Sequence, residues 1–190
     1  MDADFSIELG REDPVLDFPW TDPDGKLAYF DLKRHPELLA RVEEAKQFPE
    51  LEDFLRAVNS AMSSVESAKC DAWFTEELRP EEEIFGASCK CASYADLVFS
   101  SIDHRQSFPF HELFAKRLVE LLRRTPETPS SAELSVRRCY FHSEAEPGEG
   151  FYITMYVSGY GDDQARARQN WEIGLKLVGN AVLQLSAAGL

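Results

Sequence analysis

No stretch of this 190-residue chain approaches the ~20 apolar residues of a membrane-spanning helix. Its start, MDADFSIELG, lacks the basic residues and apolar run of a secretory signal. Together these absences predict a soluble, cytoplasmic protein. Basic charge is also scarce, at 20 Lys/Arg against 34 Asp/Glu for a net −14. The deficit is concentrated: residues 1–83 hold 22 acidic and nine basic side chains, whereas 84–190 hold 12 and 11. Such a surface repels phosphate, which argues against nucleic acid or an anionic membrane as partner. It suits a solvated face, a basic partner, or imitation of nucleic acid.

Cysteine is thin as well. Cys70, Cys89, Cys91 and Cys139 are expected as reduced, partly buried thiols rather than a disulfide frame. Cys89-Lys-Cys91 lacks the C-x2-C spacing of a zinc knuckle, and no metal or cofactor is expected. There is no nucleophile elbow, no glycine-rich phosphate loop and no H-E-x-x-H. The run Ser158-Gly159-Tyr160-Gly161-Asp162-Asp163 leads into a helix, but two aspartates there would repel an anion, so they read as helix caps. His104, His111 and His142 are the acid–base candidates, and Asp103-His104-Arg105 reads as an ordinary turn between strand and helix. Glu81-Glu82-Glu83 reads as a solvated loop. No catalytic residue is assigned.

What is present is alternation. In residues 151–160, FYITMYVSGY, Phe151, Ile153, Met155 and Val157 fall on one side of a strand, and Tyr152, Thr154, Tyr156, Ser158 and Tyr160 on the other. A sheet with one apolar face and one face of tyrosines and hydroxyls follows. Around it the chain reads as a single domain over 1–190. Residues 1–35 form an extended arm broken by Pro14, Pro19, Pro23 and Gly25, with Phe18 and Trp20 as anchors. Residues 36–65 carry helical spacing. Residues 66–190 then read as strand, strand, helix twice: strands at 70–78 and 93–101 with a short extra one around Ile84–Cys91, a helix at 110–124, strands at 132–141 and 151–160, and a helix at 163–187.

The predicted fold is α+β: an antiparallel sheet of about four to six strands built from two strand-strand-helix units. Its helices lie on one face, and the N-terminal arm and helices pack on the body. The alternative is a ferredoxin-like core with residues 5–9 as a central strand and 151–187 as a C-terminal extension. The element order over 37–187, with the acidic charge, resembles that of type III secretion chaperones. That resemblance implies a small, acidic, dimeric protein of similar fold and carries no residues over.

Pairing the second hairpin symmetrically about HSEAEPGEG sets Tyr140 opposite Thr154, His142 opposite Tyr152 and Arg138 opposite Tyr156. Alternation in the first hairpin turns Trp73 and Tyr94 to the same side. The predicted ligand- or partner-binding surface is therefore Trp73, Tyr94, Arg138, Tyr140, His142, Tyr152 and Tyr156, aromatic groups with polar tips that suit a half-dry interface. The reading favours a non-enzymatic protein- or peptide-binding or regulatory module. Its alternatives are a small-molecule-binding protein or enzyme with that face as pocket floor, and an acidic nucleic-acid mimic. A homodimer is also predicted. Gly174, Gly179 and Ala181 interrupt the last helix, and Ile173 and Leu177 lie off its main stripe, where a second backbone, or the arm itself through Phe18 and Trp20, would pack.

Overall fold

Strand alternation and helical spacing sort the chain into one sheet and one helical layer. A computed structural model describes residues 1–26, 28–142 and 147–190, apart from the side chains of Glu81, Glu83 and Ile84. Its elements are β1 (Asp2–Glu8), β2 (Val15–Phe18), α1 (Glu43–Gln47), α2 (Pro49–Val58), β3 (Val65–Thr75), β4 (Cys89–Phe99), α3 (Ile102–Arg105), α4 (Phe108–Leu122), β5 (Ser130–Phe141), β6 (Gly148–Gly161) and α5 (Gln164–Ala187). Short 3-10 turns occupy Pro36–Arg41 and Pro80–Phe85.

The six strands form one mixed, mostly antiparallel sheet in the order β1-β5-β6-β4-β3. Both strand-strand-helix units are present, with β3 paired to β4 and β5 to β6. The region expected as a separate strand around Ile84–Cys91 instead contributes Cys89–Cys91 to the start of β4. The arm is more regular than its prolines suggest. β1 runs parallel to the first part of β5, and β2 resumes the same edge along Arg138–Phe141 after the break at 9–14. Residues 2–8 therefore form an edge strand, not the central strand of a ferredoxin-like core.

Helices α2, α4 and α5 cover one face of the sheet. Phe54 and Leu55 of α2, Phe114, Leu118 and Leu122 of α4, and Trp171, Leu175, Val178 and Val182 of α5 pack on Leu97, Leu134, Val136, Ile153, Met155 and Val157. Each such side chain contributes about 1.5–3 kcal/mol on burial. Ser107 caps α4, and the Asp163 carboxylate caps α5 by accepting from the Arg166 N–H at 2.8 Å. The helix also descends close onto β6, where a Cβ on Gly159 would run into the backbone of Trp171.

The small residues of α5 find their packing reason within the chain. A Cβ on Gly174 would press on Val157, and one on Gly179 would meet Phe54 of α2. The second side of α5 is thus partnered by α2, while Phe18 and Trp20 lie across the opposite face of the sheet. Leu177 packs at the margin of the core and Ile173 is 36% exposed.

Candidate functional site: the helix-free face of the sheet

The opposite parity of each strand builds the other face, and the register lays its side chains in rows. One row runs Trp73, Ala92, Ser158, Ser131, Asp2 across β3, β4, β6, β5 and β1. The next runs Asp71, Tyr94, Tyr156, Glu133, Asp4, and the third Lys69, Asp96, Thr154, Ser135, Ser6. Rows are two residues apart, or ~6.8 Å along a strand. The tall pair Tyr94–Tyr156 therefore stands between two rows that are mostly of short side chains. Tyr94 lies 6.0 Å from Tyr156 and 6.5 Å from Trp73, centroid to centroid, and all three rings are half-buried.

The arm covers one end of this face. Leu16 and Phe18 of β2 bury Ala68, Val98, Cys139, Phe141 and Tyr152, with Trp20 and Tyr29 at the margin. Arg105 ties that cover down: its Nε donates to the Phe99 carbonyl at 2.6 Å, a terminal nitrogen donates to Glu66 at 2.8 Å, and its guanidinium stacks on Phe18 and Phe141. Arg105 and His104, which stacks on Phe110 at 3.8 Å, hold the fold together.

The segment Pro80–Phe85 covers the far corner. Glu82, expected in a solvated loop, is buried there and accepts from Lys90 Nζ at 2.6 and 2.8 Å, from the Tyr160 hydroxyl at 3.0 Å and from the Arg79 N–H at 2.7 Å. Those donors hold its carboxyl below the ordinary value even though burial opposes this. Phe85 stacks on Tyr160 at 4.0 Å. The expectation overlooked that Lys90 points from β4 to the same corner, which only the β4–β6 register reveals.

Between the two covers the face is open, with a hollow of about 640 Å3 lined by Trp73, Tyr156, Arg79, Lys90 and Arg137. A second hollow of about 560 Å3 lies beside the β3 edge, lined by Trp20, Phe30, Val42, Cys70 and Tyr94.

Of the seven residues expected in one patch, Trp73, Tyr94 and Tyr156 do meet. Tyr152 shares their face but is 3% exposed beneath the arm. Arg138, Tyr140 and His142 do not join them. The β5–β6 pairs are Glu133–Tyr156, Ser135–Thr154 and Arg137–Tyr152, five residues off the symmetric pairing, and an odd slip exchanges the faces. The cause is that Gly148 and Gly150, which look like turn residues, already belong to β6. Gly150 is where the Arg105 carbonyl approaches too closely for a Cβ. Arg138 instead donates to the Gly10 carbonyl, and Tyr140 packs edge-on against His142, which bonds Asp17 at 2.8 Å. Residues 143–146, part of the HSEAEPGEG segment expected as the turn, lie outside the described residues. Arg137 is the residue the symmetric pairing missed, although Ala132, Leu134 and Val136 on the apolar face already put odd-numbered residues of β5 on the other one.

Arg137 belongs to a polar chain across the face. Its Nε donates to Glu8 at 2.8 Å and a terminal nitrogen to Thr154 Oγ1 at 2.9 Å, and Thr154 donates to Asp96 at 2.7 Å. Burial pushes Asp96 up to about 6, against the Thr154 hydrogen bond and the charges of Lys69 and Arg137. Thr154 is 1% exposed and its hydroxyl is engaged on both sides, so it is not placed to attack a ligand. His111 lies in the helical layer, fully buried against Phe99 and Phe151, with Nδ1 2.9 Å from the Ser107 carbonyl.

Among the described residues no group of His, Cys, Asp or Glu is placed to hold a metal ion, and no helix is long and apolar enough to cross a membrane. All four cysteines are free thiols, and burial raises the pKa of each. No family model, no curated protein and no solved structure matches this chain.

Proposed function

We propose that this chain is a non-enzymatic module that binds a protein or peptide on the helix-free face of its sheet, with Trp73, Tyr94 and Tyr156 as anchors. The observation that carries this reading is the contiguity of the three half-buried rings between two hollows, in a part of the face that neither the arm nor Pro80–Phe85 covers. Aromatic side chains with a polar tip supply large contact area where one side is dry and the other wet. The neighbouring cations are engaged internally: Arg137 on Glu8, Lys90 on Glu82, and Arg79 on Glu82 and Glu133. The same pairings engage Glu8, Glu82 and Glu133, which weighs against this face imitating the phosphates of a nucleic acid.

The test is selection of peptides from a random display library on the immobilised chain, with Trp73→Ala and Tyr156→Ala variants of unchanged circular dichroism as counter-targets. Enriched peptides should share a motif and lose about tenfold or more in affinity on either variant, roughly 1.4 kcal/mol. Enrichment that is equal on both variants would remove the aromatic row from the reading. A second reading, small-molecule binding, is favoured by the hollow of about 560 Å3 with its apolar lining. Ligand-observed NMR of a fragment set separates the two, since hits displaced by a Trp20→Ala change would place small molecules there.

A further inference from the structure

We propose that the outer edge of β3, from Cys70 to Thr75, receives an extended, basic segment of a partner protein as an added strand. This rests on the reading of the adjoining aromatic row as a binding surface and names how the partner enters it. The Ser64 carbonyl accepts from Ser100 N–H, so Ser64 faces β4, and Val65 and Ser67 face outward. A bulge between Ser67 and Lys69 shifts the alternation, after which Ala68, Cys70, Ala72 and Phe74 face outward.

The protein caps the first half of this edge itself. Lys33 donates to the Val65 carbonyl at 2.9 Å, Ser67 N–H donates to Asn59 Oδ1 at 2.9 Å, and Trp20 Nε1 donates to the Ala68 carbonyl at 2.6 Å. Beyond Ala68, the Ala72 N–H donates to the Asp71 carboxylate at 2.7 Å. The outward backbone groups of Cys70 and Phe74 and the Ala72 carbonyl have no partner among the described residues. A row of unpaired donors and acceptors on a sheet edge is a template for another strand. Room exists beside it, because the hollow lined by Trp20 and Glu44 reaches Cys70 and Asp71.

The charge left over at this edge is negative. On the strand and just beyond it the exposed carboxylates Asp71, Glu76 and Glu77 outnumber the one exposed lysine, Lys69, which lies 5.0 Å over the Trp20 ring. Of the other cations lining the hollow, Lys46 is bound to Glu43 at 2.6 Å, Lys26 to Asp24 at 3.4 Å, and Arg41 lies 4.8 Å over the Phe30 ring. Lysine or arginine on the face-side positions of an added strand would meet Asp71 and the Trp73 and Tyr94 rings. A second copy of this chain fits less well. Antiparallel self-pairing would bring two sets of Asp71, Glu76 and Glu77 together, between molecules that each carry a net −14.

Amide hydrogen exchange and affinity measurements on the full chain test this with three short synthetic peptides. One alternates Lys and Val, one has Glu in place of Lys, and one is the Lys peptide N-methylated at every second residue. The Lys peptide should slow exchange at Cys70 and Phe74 and bind about tenfold or more tighter than either of the others. Its affinity should fall as salt rises. Equal binding of the N-methylated peptide, without protection at those amides, would overturn the edge while leaving the aromatic-face reading to the library selection. Tighter binding of the Glu peptide would overturn the charge of the partner. Absence of binding by all three would overturn the whole proposal, as would protection of the same amides by self-association of the chain without peptide.

Discussion

The two halves of the helix-free face carry the same kind of strand and meet opposite fates. At the Tyr152 end the sheet raises Val98, Cys139, Phe141 and Tyr152, and the arm answers with Leu16 and Phe18 to make a second small core. At the Tyr156 end the rows alternate tall rings with Ala92, Ser158 and Ser131, and the polar groups satisfy one another across strands. A continuous apolar patch draws a cover from its own chain because burial stabilises it. Aromatic rings over a floor of serines offer the arm less apolar area and stay uncovered by it.

The largest expected effect tests the cover. Arg105→Ala strands the buried Glu66 carboxylate and removes the clamp on Phe18 and Phe141, and should cost about 3–5 kcal/mol in denaturant titrations. A loss under about 1 kcal/mol would mean the arm stays in place without it. Phe141→Ala should cost about 3 kcal/mol or more in the same titrations by leaving a cavity under the arm.

Acidity sharpens the comparison, because the open face and the helical core hold buried groups of opposite sign. Burial pushes His111 down to about 4 from an ordinary 6.5, so the unfolded chain takes up the proton first. That stability is present above about 6.5 and is lost as pH falls through about 4, about 3 kcal/mol in all. Asp96, raised to about 6 from 3.8, behaves in reverse: its contribution is full below 3.8 and is lost as pH rises through about 6. The two oppose each other between pH 4 and 6. Asp96→Asn should therefore raise stability at neutral pH by about 2 kcal/mol and expose a continuous decline from pH 6.5 downward. A flat profile in that variant would contradict the His111 assignment.

The smallest expected effect is the most telling for function. Trp73→Ala on the open half should change stability by less than about 1 kcal/mol in the same titrations while weakening peptide binding about tenfold or more. A cost near that of Phe141→Ala would show Trp73 to be a structural residue, and the two halves would then not differ.

Alternation and helical stripes were legible residue by residue. Phe151, Ile153, Met155 and Val157 lie toward the helices, Trp73 and Tyr94 lie away from them, and α4 and α5 begin within two residues of where their spacing and caps predict. These follow from the sequence alone because the period of two in a strand and 3.6 in a helix is a property of the backbone itself. Three things were decided only in three dimensions. The β5–β6 register moved Arg138, Tyr140 and His142 off the face and brought Arg137 onto it, because Gly148 and Gly150 lie in a strand that packs against Arg105. The burial of Glu82 depends on Lys90 and Tyr160, eight and 78 residues away along the chain. The division of one face into a covered and an open half depends on β1 and β2 finding β5 more than a hundred residues later. Register and cover are contacts between distant segments, and no local periodicity encodes which distant partner a strand will meet.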